Sequence, residues 1–124
     1  MFRTVADYVK AAREERESTL KIFRALTPES LGQEVGNGHR SIARLAWHIA
    51  ACNPGMATEA GLKLEGDPPG YESMPPAELE SIIAAYEKWS STGIEAIGSQ
   101  WTDEMLAEET PMYGESWGRG YTLF

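Results

Sequence analysis

The residue with most chemical potential is His48, set in the run Ser41-Ile42-Ala43-Arg44-Leu45-Ala46-Trp47-His48-Ile49-Ala50 of a chain holding two histidines. An imidazole beside the apolar stripe of a helix is either a metal ligand or a packed, hydrogen-bonded core residue. A catalytic zinc-type centre takes about three protein ligands plus an open position, and beyond the two histidines the sequence up to Phe124 offers no close Cys/His cluster to reach that number. His39 lies in a Gly-rich loop beside Arg40, where solvent is its expected environment. Glu59, eleven residues on, would stand about 16 Å away along a helix, too far to share one ion with His48. Cys52 falls one turn after His48, and a His-x-x-x-Cys pair could hold a metal or an activated thiolate; an unpaired cysteine is more often a small buried hydrophobe. No Ser/His/Asp order, phosphate loop or Cys-x-x-Cys motif is present.

These residues sit in a chain of 124 residues and 13.7 kDa, the size of one domain with a single core. A hydrophobic fraction of 42% with 24% charged residues fits a globular protein rather than a disordered one. No stretch approaches the roughly 20 apolar residues of a membrane helix, and Met1 to Asp7 lacks the apolar core of a secretion signal. The expected location is cytoplasmic, with no membrane partner. A single cysteine excludes an intramolecular disulfide. The net charge of −8 makes nucleic acid a poor partner.

Four elements must position the candidate residues. Val5, Tyr8, Val9, Ala12, Thr19, Leu20, Phe23 and Leu26 recur at helical spacing, which predicts a first helix over 4–26; Arg13 to Glu17 reads as its solvated face. Thr27 and Pro28 suit a short capped turn, and Gly32 to Gly38 a loop. Ser41 is the natural N-cap of a second helix with Ile42, Leu45, Ile49, Cys52 and Met56 as its buried stripe. Pro54 should kink that helix or end it before about Leu62. Trp47 is expected as a core or interface anchor. After the 66–70 linker, Pro75-Pro76 should lead into a third helix with Leu79, Ile82, Ile83, Tyr86, Ile94 and Ile97 inward. The pattern Thr27-x-Glu29-x-Leu31 returns as Thr102-x-Glu104-x-Leu106, so a fourth helix is due near Ser116, or as late as Tyr121. The aromatic segment Trp101 to Trp117 is expected to cover one end of the bundle, with anchoring of a protein partner as its alternative.

From Thr19-Leu20 and Leu26-Thr27-Pro28-Glu29-Ser30-Leu31 through Gly38 to the run Ser41–Ala50, the chain resembles the DinB/YfiT-like superfamily, over about 4–124. The resemblance implies an all-α, four-helix bundle in up-down-down-up order, here one domain over 1–124 in which the fourth helix is truncated and about three long helices remain. It implies a divalent metal held by three histidines and carries one of these ligands onto His48; the His-x-x-x-His pair of the family's fourth helix is missing. The implied cofactor is Zn, Ni or Fe, weakly held or absent in this chain, and the implied partners are a second copy in a homodimer and a small-molecule thiol. Thiol-dependent transferases are among characterised relatives, so the expected activity belongs to the complete protein rather than to this chain alone. The alternative is a non-catalytic helical assembly that oligomerises through the groove left open by the missing helix.

Overall fold

The computed structural model describes residues 1–123. Three long helices, α1 (Val5–Ala25), α2 (Ile42–Glu59) and α3 (Leu79–Gln100), are followed by a hairpin of β1 (Glu109–Met112) and β2 (Glu115–Gly118) and by the single turn α4 (Arg119–Thr122). Each boundary has a local cause. Thr4 Oγ1 accepts from the Asp7 N–H and opens α1, and Ser41 Oγ accepts from the Arg44 N–H to open α2. Thr27 and Ser30 form a reciprocal capping box on a 3₁₀ turn, Pro28–Gly32, with Pro28 in its first turn. α2 runs through Pro54, which is buried, and closes at Glu59. There the Leu62 N–H donates to the Ala57 carbonyl and the Gly61 N–H to that of Thr58, with Gly61 at φ +97°, a conformation that suits glycine. α3 begins at Leu79, after the two prolines rather than on them, and Glu78 makes no side-chain cap.

α3 is the hub. α1 and α2 both pack along it and barely meet each other, which leaves an open channel between them. Two apolar clusters close the ends of that channel. One joins Leu20 and Phe23 of α1, Ala46 and Ala50 of α2, and Ile82 and Tyr86 of α3. The other gathers Val5, Ala57, Leu62, Ile97, Trp101 and Leu106. At that second end the Asp103 carboxylate accepts from the Val5 N–H at 2.7 Å and ties the chain start to the segment after α3.

The stripe expected to be buried on α2 is not the one α3 covers. Ala46, Ala50, Ala51, Pro54 and Ala57 are buried, whereas Ile42, Leu45, Cys52 and Met56 are only half-buried and Ile49 is 44% exposed. The small residues make the buried face, Ile49 and Met56 line the channel, and Ile42 packs against the first cluster. The hairpin was not anticipated; antiparallel pairing joins Glu109 to Gly118 and Met112 to Glu115, with Tyr113 and Gly114 both at positive φ in its two-residue turn. The echo of Thr27-x-Glu29-x-Leu31 holds as structure, since Glu104–Ala107 is again a 3₁₀ turn and again precedes an extended pairing and a helix. None of the described helices is long and apolar enough to cross a membrane.

Candidate functional site

His48 lies in the middle of α2 with its ring half-buried. The edge of Tyr71 stands against it with centroids 6.5 Å apart. Tyr71 belongs to the loop before α3, and that loop is held to α2 by side chains flanking His48. The Arg44 guanidinium donates to the carbonyls of Ser73 and Tyr71 and reaches Glu72 Oε2 at 3.4 Å, and Trp47 Nε1 donates to Ser73 Oγ at 2.9 Å. Trp47, half-buried, therefore packs against the first core cluster as expected and also clamps the loop. His48 Nδ1 is buried and has no hydrogen-bond partner among the described residues. An unsatisfied buried ring nitrogen is costly, of order 1–3 kcal/mol, unless something outside the described contacts meets it.

The other candidates do not converge on it. Cys52 is half-buried and its thiol contacts Met56 Sδ at 3.9 Å. Glu59 and His39 are exposed, the latter folded over Gly36. Among the described residues no group of three His, Cys, Asp or Glu side chains could hold a metal ion. The donor set these residues present is one imidazole, which does not fit a closed three-ligand centre.

One residue beyond His48, Ile49 enters the wall of the channel between α1 and α2, a groove of about 540 Å³. Tyr8 and Arg16 of α1, Met56 of α2, and Trp89 and Ile94 of α3 line it, and Thr122 and Leu123 stand at one end. Its volume lies within the range of sites that take small molecules or a packed side-chain face. Arg16 is the unexpected member. The sequence reading placed it on the solvated face, but its Nε donates to Ser90 Oγ at 3.0 Å and its Nη2 to the Glu87 carbonyl at 3.3 Å, so it bolts α1 to α3. The signal was present in the spacing, since Arg16 sits four residues from both Ala12 and Leu20 on the apolar stripe. Burial, reinforced by Tyr86, pushes the Tyr8 hydroxyl up to about 12. Burial also raises Tyr86, against a hydrogen bond with Thr19 that lowers it.

Similarity to other proteins agrees with this architecture. A curated relative, the uncharacterized protein YrdA of Bacillus subtilis (strain 168), is 28% identical over 123 residues, covering 99% of this chain and 72% of that protein. The crystal structure of a DinB-like protein from Bacillus cereus ATCC 10987 superposes with a TM-score of 0.89 at 33% identity, over 99% of this chain and 81% of the other. The sequence pattern of the DinB family matches residues 1–122, and with the helical fold in place the chain belongs to the DinB family.

Proposed function

We propose that this chain is a metal-binding protein of the DinB family in which His48 supplies one ligand and the remaining donors come from outside the described residues. The observation that carries the reading is the buried Nδ1 of His48, which has no partner among the described residues. A ring nitrogen kept from water without a partner is the state expected of a ligand short of its ion. The described residues make up too small a donor set for a reaction to be derived, and thiol-dependent transfer is the class of chemistry proposed for the completed site. Calorimetric titration with zinc and with nickel, followed by NMR of the His48 ring, tests the reading. Weak binding that perturbs the ring and disappears in His48→Ala is the expected result; tight binding that survives His48→Ala would remove His48 from the site.

The groove itself favours a second reading, a helical assembly in which another copy of the chain covers the open faces of α1 and α2. Ile49, 44% exposed, and Met56 stand on that groove wall and would gain burial against a second copy. Sedimentation at micromolar concentration should then show a dimer or larger species that Ile49→Glu dissociates, and a well-folded monomer at all concentrations would sink it.

A further inference from the structure

The hairpin end of the molecule carries a row of three aromatic rings that neither reading uses. Tyr113 and Trp117 have centroids 5.8 Å apart, and Trp117 and Tyr121 meet edge to face at 5.1 Å. The outer two are largely open to solvent, Tyr113 at 71% and Tyr121 at 51%. Tyr113 also adopts φ +52°, the left-handed region where a residue with a Cβ is disfavoured by roughly 1–2 kcal/mol. A ring held at a hairpin tip against that bias, and left exposed, invites the question of what it meets.

The molecule supplies a comparison. Two other indoles carry a cation, with Lys88 Nζ 4.6 Å from the Trp89 ring and the Arg119 guanidinium 5.5 Å from that of Trp101. Arg119 is held over Trp101 while pairing with Glu108 at 2.7 Å, so ring and carboxylate share one guanidinium. Trp117 has the same two parts without the cation. Its Nε1 donates to Glu115 Oε2 at 3.1 Å, and Glu115 forms no ion pair among the described residues. The chain as a whole is acidic, at −8.

We infer that the Tyr113–Trp117–Tyr121 row, with the Glu115 carboxylate, is a docking surface for an arginine-bearing segment of a partner protein. The guanidinium stacks on the rings and pairs with the carboxylate, as Arg119 does at Trp101, and the net negative charge speeds the approach. The test titrates the full chain with a fluorescein-labelled, unstructured peptide carrying three arginines, and with the same peptide carrying citrulline. Anisotropy reads affinity, and the Trp117 indole N–H resonance reads location. Saturable binding of the arginine peptide is expected, with the Trp117 resonance shifting and the citrulline peptide weaker by about fivefold or more. Glu115→Gln and Tyr113→Gly should each weaken binding about fivefold, and the latter keeps the turn because glycine accepts its backbone. Glu14→Gln, exposed on α1, should change it less than twofold. Equal losses from Glu14→Gln and Glu115→Gln, an unmoved Trp117 resonance, or no saturable binding would overturn the inference.

Discussion

Tyr8, one of the groove's lining residues, ties stability to alkaline pH. Its proton is held up to about 12 in the folded chain against 10.0 for an ordinary tyrosine, chiefly through burial. Because the folded state keeps that proton longer than the unfolded one, its contribution to stability is complete below pH 10.0 and is lost as pH rises toward about 12. The melting temperature should fall across that window, and Tyr8→Phe should flatten the fall; an unchanged slope in the variant would mean that Tyr8 is not its source. Tyr86 is raised in the same direction and adds to the effect. Arg16 makes a second prediction at this scale. Its guanidinium spans from α1 to Ser90 and the Glu87 carbonyl, and only 23% of the side chain is exposed. Arg16→Met keeps most of the stem and removes these bonds, so urea unfolding should show a loss of about 1–2 kcal/mol.

Two glycines report on how tightly the elements fit. Gly93 is buried inside α3, yet a Cβ built there meets nothing within 4 Å, because it points into the open channel. Gly93→Ala should raise stability by about 0.5–1 kcal/mol through the helix backbone alone, measured by thermal or urea unfolding. Gly120 in α4 is the opposite case. A Cβ there would lie 2.7 Å from the Phe2 carbonyl oxygen and 3.2 Å from that of Leu106, so one of these backbones must move. Gly120→Ala should cost about 1–3 kcal/mol and speed amide exchange in the hairpin and the preceding 3₁₀ turn. The long helices were legible because their apolar residues recur at three and four positions, and Ser41 caps α2 as Thr27 caps the short turn. Which face of α2 meets α3 was not legible, because periodicity marks an apolar stripe without saying whether the same chain covers it. Ala46 and Ala50 are buried in the first cluster, and Ile49 and Met56 are left for the channel. The hairpin was hidden because its turn is Tyr113-Gly114 rather than Asn-Gly and its strands are four residues each, one holding Pro111. For the site, the sequence pointed to His48, but no local pattern signals that Nδ1 of that ring is buried. The clamp from Arg44 and Trp47 to the loop at Ser73 depends on contacts nearly thirty residues apart, which no local pattern encodes.

At the scale of the whole molecule, α1 and α2 share one central partner, α3, and the surface between the outer two is open. A protein built this way should bind a hydrophobic dye in the groove, and Trp89→Glu, which places a charge on the groove wall, should abolish the dye's fluorescence. Retained dye binding in a folded variant would place the apolar surface elsewhere. The alanine seam on α2 carries one more implication. Alanines bury little area, and the bulkier Ile49 and Met56 on the groove wall gain full burial only when something lies against them. Whatever settles there therefore acts as a mass-action stabiliser of the native state: each tenfold excess over its dissociation constant adds about 1.4 kcal/mol, and the fraction of intact α2 becomes a direct gauge of occupancy.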